Sequence, residues 1–87
     1  MVIRDLVIKN QYGLHARPAA KFVEAASQFD SQVMLSKDGV EINGKSIMGV
    51  LVLAAEKGHK IQLRISGKDE KEAVEILSAL LEGELDK

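Results

Sequence analysis

Residues 13–26 read Gly-Leu-His-Ala-Arg-Pro-Ala-Ala-Lys-Phe-Val-Glu-Ala-Ala. Ala19, Phe22, Val23 and Ala26 fall at i, i+3, i+4 and i+7, the spacing of one apolar helix face. Pro18 is the only proline in the chain. Proline is tolerated in the first turn of a helix, where N–H groups lack intrahelical partners anyway. The stretch therefore predicts a helix from about Ala16 to Ser27, with His15 at or near its N-cap.

Outward from this helix the pattern is β-α-β-β-α-β-α, an α+β order. Residues 2–8 are apolar and partly β-branched, with Val2, Leu6 and Ile8 on one face and Arg4 interrupting the alternation. Val33 and Leu35 mark a second strand. Asp38-Gly39 is a hairpin signal, followed by Val40 and Ile42 on a short third strand. Ile61, Leu63 and Ile65 alternate with polar residues, as in a half-buried strand. The last helix is expected to open at Asp69, with Glu72 completing a capping box. Its expected buried stripe is Ala73, Ile76, Leu77, Leu80 and Leu81, with Gly83 as the stop. Polar residues at alternate strand positions imply a sheet wetted on one face and covered by helices on the other. Local signals leave the strand order open, a ferredoxin-like order being the default.

The chemistry expected at residues 15–17 follows from the helix start. Free N–H groups and the positive end of the helix dipole form an anion site. Arg17 adds a planar cation suited to phosphate oxygens. The positive end of a helix also disfavours imidazolium, which suits a nucleophilic ring. A histidine that carries a phosphoryl group fits this arrangement; so does one that merely caps the helix.

Gly13-Leu14-His15-Ala16-Arg17-Pro18-Ala19 resembles the active-site signature of the HPr family, the histidine phosphocarriers of the PEP-dependent phosphotransferase system. Lys45-Ser46-Ile47-Met48-Gly49-Val50-Leu51-Val52-Leu53 is similar to that family's second signature, around a regulatory serine. The resemblance runs over the whole chain and implies one HPr domain over residues 1–87, an open-faced sandwich. It implies a four-stranded antiparallel sheet in the order 1-4-2-3 with three helices on one face. It further implies that His15 accepts a phosphoryl group on Nδ1, that Arg17 stabilises the phosphate, and that Ser46 is a regulatory phosphosite. The implied partners are enzyme I as donor, an EIIA-type acceptor, and HPr kinase/phosphorylase, with a transcriptional regulator as a further candidate. Such a carrier is expected to be a cytoplasmic monomer that turns nothing over alone and needs no cofactor or metal. The His15 residue disfavours a regulatory-only paralogue of the Crh type, which lacks the histidine. Asn10-Gln11-Tyr12-Gly13 and Ala54-Ala55-Glu56-Lys57-Gly58 lean toward the nitrogen-branch paralogue, NPr. Tyr12 and Ala54 depart from frequent family residues, a small or polar one and a glycine respectively. Both departures bear on partner choice rather than on chemistry.

Ser46 is also an N-cap candidate in its own right, with Gly58 as the expected C-terminal stop. The segment after Ser46 is apolar nearly all round. One reading buries it entirely, for instance as a strand through Val50-Leu51-Val52-Leu53. In the other, Val50 and Leu53 face the core while Ile47, Met48 and Leu51 stay partly exposed, as the family's docking surface would require.

Gly39-Val40-Glu41-Ile42-Asn43-Gly44-Lys45-Ser46 matches the P-loop pattern G-x-x-x-x-G-K-[ST]. Val40 and Ile42 alternate like a strand behind a turn, whereas a P-loop needs a tight, permissive backbone, so the match is read as accidental. His59 has no second histidine or carboxylate at ligand spacing and reads as a solvated loop residue. A net charge of −1 argues against non-specific nucleic-acid binding. The absence of cysteine removes disulfide frameworks and thiolate metal sites. No apolar run reaches the length of a membrane span, and no signal-peptide pattern opens the sequence.

Overall fold

The computed structural model describes residues 1–86. The elements are β1 (Val2–Val7), α1 (Ala16–Ala26), β2 (Gln32–Lys37), β3 (Val40–Asn43), α2 (Ile47–Leu53), β4 (Lys60–Ser66), α3 (Glu70–Leu81) and a 3₁₀ turn (Glu84–Asp86). The strands form one antiparallel sheet in the order β1-β4-β2-β3. The ferredoxin-like default is thus not the fold. β4 pairs with both β1 and β2, so those two run parallel to each other with β4 between them.

Register decides the faces. Leu6 pairs with Ile61, and Leu63 and Ile65 pair with Leu35 and Val33. Side chains alternate across a strand, so this row lies on one face. All six are buried there with Phe22, Val50, Leu53, Leu77 and Leu81 from the three helices. The opposite face carries Arg64, bonded to Glu41 at 2.8 Å, and Gln62, bonded to Asp5 at 3.1 Å. Arg4, the break in the β1 alternation, reaches Glu75 of α3 at 3.4 Å on the rim. A charge tolerated at that position is one that can leave the core edge for a carboxylate. The hairpin reading at 38–39 is realised: Asp38 and Gly39 have φ of 52° and 82°, the left-handed pair that matches strand twist.

Three local expectations fail. The capping box at Asp69 does not form; Asp69 is the N-cap but makes no cap bond. Its carboxylate instead accepts from the Asp30 and Ser31 N–H groups at 2.9 and 3.0 Å and from the Ser31 hydroxyl. Glu70, not Glu72, turns back, accepting from Gly67 N–H at 3.0 Å. The buried stripe of α3 is Ala73, Val74, Leu77, Ser78 and Leu81, while Ile76 is exposed. Finally, α2 does not run to Gly58. It ends at Ala54, which adopts the left-handed conformation at φ 50°, ψ 39° and donates to the Leu51 carbonyl at 3.1 Å.

Candidate functional site

The loop from β1 to α1 is tied down before it reaches His15. Ile8, Asn10 and Leu14 are buried. Lys9 N–H and the Asn10 side-chain amide both donate to the Leu81 carbonyl, at 3.2 and 3.3 Å. Gln11 N–H donates to the Asp86 carboxylate at 2.9 Å. Leu14 N–H donates to the Ala55 carbonyl at 2.8 Å. Gly13, at φ 58°, lets the loop lie against that segment: a β-carbon there would collide with the Ala55 carbonyl oxygen. His15 is therefore flanked by a buried leucine and, after α1 begins, by the buried pair Pro18 and Ala19.

His15 occupies the N-cap of α1, with extended backbone at φ −78°, ψ −176°. Its carbonyl accepts from Ala19 N–H at 2.7 Å, but its side chain makes no cap bond. Pro18 stands at the third helical position, where a capping side chain usually finds its N–H, and offers none. The unspent N–H groups of the first turn are then those of Ala16 and Arg17. The His15 side chain is 61 % exposed, and its Nε2 lies 4.0 Å from Glu56 Oε1. A depression beside it is lined by Tyr12, His15, Arg17, Lys21, Leu85 and Asp86. His15 and Arg17 thus share one concave surface at a helix start, with Tyr12 on its rim.

Ser46 is the N-cap of α2, its hydroxyl oxygen accepting from Gly49 N–H at 3.1 Å. The neighbouring Lys45 ammonium donates to the Phe29 carbonyl at 2.6 Å. Val40–Asn43 of the P-loop match is a strand paired with β2, so its N–H groups cannot wrap a phosphate. In α2, Val50 and Leu53 are buried. Ile47, Met48 and Leu51 are exposed, and Val52 joins them. With seven residues, α2 is about 10 Å long. Ser46 stands at one end of this apolar face, and the Ala55–Glu56 segment beside His15 follows the other.

Glu56 carries no signal in the sequence, and His59 is not the solvated loop residue its spacing suggests. His59 is partly buried, and its Nδ1 accepts from the Glu56 N–H at 3.0 Å. No periodicity or spacing rule flags a carboxylate 41 positions from the histidine it faces; only the contact of the two loops reveals it. Among the described residues, no cluster of three or more His, Cys, Asp or Glu could hold a metal ion. No helix among them is long and apolar enough to cross a membrane.

Comparison with known proteins agrees with this geometry. Residues 2–83 match the family described as PTS HPr component phosphorylation site. The chain is 49 % identical over 82 residues to the phosphocarrier protein HPr of Xylella fastidiosa strain 9a5c, covering 94 % of this chain and 92 % of that one. The crystal structure of HPr-C-His from Thermoanaerobacter tengcongensis superposes with a TM-score of 0.94 at 44 % identity, covering 100 % of this chain and 98 % of that one. The crystal structure of Crh from Bacillus subtilis, a swapped dimer, superposes with a TM-score of 0.76 at 45 % identity, covering 95 % and 98 %. A near-complete match in both sequence and fold places this chain in the HPr family of phosphocarriers of the phosphotransferase system.

Proposed function

We propose that this single-domain carrier accepts a phosphoryl group from phospho-enzyme I on Nδ1 of His15 and passes it to an EIIA-type acceptor. The observation that carries the reading is the 61 % exposed His15 side chain, which makes no cap bond at the N-cap of α1. Uncommitted N–H groups at Ala16 and Arg17 stand behind it, and Arg17 lines the same depression. Transfer is a substitution at phosphorus. The ring nitrogen's lone pair forms the new N–P bond as the bond to the donor breaks, and the donor keeps its electron pair. The protein supplies position and charge rather than acid–base chemistry. Helix-end N–H groups and the Arg17 guanidinium hold the three phosphoryl oxygens.

In this reading Ile47, Met48 and Leu51 form the docking face, and Ser46 is its regulatory phosphosite, modified by HPr kinase/phosphorylase. A phosphate there meets the positive end of α2, so the fold tolerates it, while its charge borders the face enzyme I must cover. Tyr12, 66 % exposed at the rim, is where a sugar-branch and a nitrogen-branch acceptor would differ in contact. The carrier works as a cytoplasmic monomer; equilibrium sedimentation at a dimer mass would refute that part.

The decisive experiment is incubation with enzyme I and labelled PEP, then mapping of the label. One phosphate per chain is expected, in an acid-labile, base-stable phosphoramidate. His15→Ala abolishes it, and Arg17→Ala slows it without unfolding the domain. Undiminished label on the His15→Ala protein overturns the assignment.

A further inference from the structure

The loop after α2 forms a small, self-bonded turn. Glu56 N–H donates to His59 Nδ1 at 3.0 Å, and His59 N–H donates back to the Glu56 carbonyl at 3.0 Å. The turn is pinned at both ends: the Ala55 carbonyl accepts from Leu14 N–H at 2.8 Å, and the His59 carbonyl accepts from Ile8 N–H at 2.9 Å. Gly13 lies so close that a β-carbon there would sit 2.7 Å from Glu56 Cα. The backbone of Glu56 is therefore held against the loop that carries His15, whereas its side chain is 64 % exposed and carries no fold. That side chain reaches toward His15, with Oε1 4.0 Å from Nε2. A small rotation of either exposed side chain closes the remaining gap to a hydrogen bond.

We infer that Glu56 is a positioning residue for His15, holding the proton on Nε2 so that Nδ1 presents its lone pair. This rests on His15 being the phosphoryl acceptor. A neutral imidazole has one N–H and one lone pair, and a carboxylate beside one nitrogen selects the tautomer with the proton there. When Nδ1 then bonds phosphorus and the donor's bond breaks, no proton leaves the ring. Both ring nitrogens are now substituted, and the ring takes up a positive charge. That charge develops facing the Glu56 carboxylate, whose negative charge favours it. When the phosphoryl group moves on, the ring returns to its neutral state with the proton still on Nε2. The charged groups lining the depression are Arg17 and Lys21 of α1 and Asp86 of the 3₁₀ turn.

The test uses ¹⁵N-histidine-labelled protein at alkaline pH, where ring nitrogen shifts report the tautomer without any partner. Wild type is expected to hold His15 in the Nε2–H form, and Glu56→Ala to relax it to the ratio of a free histidine. Glu56→Gln keeps an acceptor oxygen and is expected to keep the tautomer. His59 is the internal control: its Nδ1 partner is a backbone N–H that all three proteins retain, so its shifts stay put. Initial rates of transfer from phospho-enzyme I to His15 should fall about two- to fivefold in both variants at low salt, the scale of an exposed ion pair. That difference should shrink in high salt, which screens the carboxylate. A His15 tautomer ratio identical in wild type and Glu56→Ala overturns the inference, as does a rate loss of equal size at low and high salt. Label mapped away from His15 would instead overturn the carrier assignment, whatever the tautomer result.

Discussion

Replacing Ala54 with glycine should stabilise this protein. Ala54 ends α2 in the left-handed region at φ 50°, with a β-carbon that crowds the following carbonyl. For a residue other than glycine that conformation costs roughly 1–2 kcal/mol. Glycine removes the crowding but adds disorder to the unfolded chain, which takes back roughly 0.5–1 kcal/mol. Ala54 is exposed, so its methyl contributes no core burial, and its N–H bond to the Leu51 carbonyl survives the change. The balance is a gain of about 0.5–1 kcal/mol. For a domain of this size that raises Tm by about 2–8 °C. Urea titration gives the free energy directly, and an unchanged slope shows that only the native state was relieved. Ala54→Val, β-branched at a positive φ, should move the midpoint the other way. A glycine variant no more stable than wild type would refute the reasoning, because it would mean that residue 54 carries no left-handed strain.

Ser46→Ala loses the bond from Gly49 N–H and should cost about 1 kcal/mol, while Ser46→Asp keeps a cap acceptor and melts near wild type. If Ser46 regulates, the aspartate variant accepts phosphate on His15 more slowly; a wild-type rate would leave Ser46 a cap only. Leu51 and Leu53, two positions apart, should separate docking from folding. Leu51, 39 % exposed, tolerates glutamate within about 0.5 kcal/mol in thermal melts but loses enzyme I affinity. Leu53→Ala, at 4 % exposure, costs about 2–5 kcal/mol. The Asp69 carboxylate is held below the usual carboxylate range by the Ser31 hydroxyl first, then by the Asp30 and Ser31 N–H groups. A depressed native value means its contribution is complete above that range, about pH 4, and is lost as pH falls below it. Asp69→Asn should therefore lower the urea midpoint at neutral pH and flatten its fall in acid.

What was legible in the sequence was whatever a short window contains. The face of α1, the Asp38-Gly39 turn and the alternation of β4 depend on neighbours within one or two turns of chain, and each formed as read. The strand order did not follow from any such window. It depends on β4 entering between two strands that are parallel to each other, and only the whole-chain resemblance pointed to it. The misreadings have separate causes. Asp69 looked like half of a capping box, but Ser31, 38 positions away, claims its carboxylate. Gly58 looked like a helix stop, but the chain turned left-handed four residues earlier at an alanine. At the site, His15 and Arg17 were readable because the helix start places them together. Glu56 and His59 were not, because their relation to His15 runs through the contact of two loops.

The fastening of the His15 loop sets an order of events during synthesis. The histidine is polymerised early, yet Gln11, four residues before it, is secured by Asp86, 75 positions later, and Lys9 and Asn10 wait for Leu81. At about 5–20 residues per second, a nascent chain spends about 4–15 s with His15 present but the Lys9–Gln11 end of its loop unfastened. The partner strand of β1 comes earlier, with β4 at Lys60–Ser66, but it does not supply these three bonds. A ribosome-bound chain stalled short of residue 81 should thus be a poor phosphate acceptor.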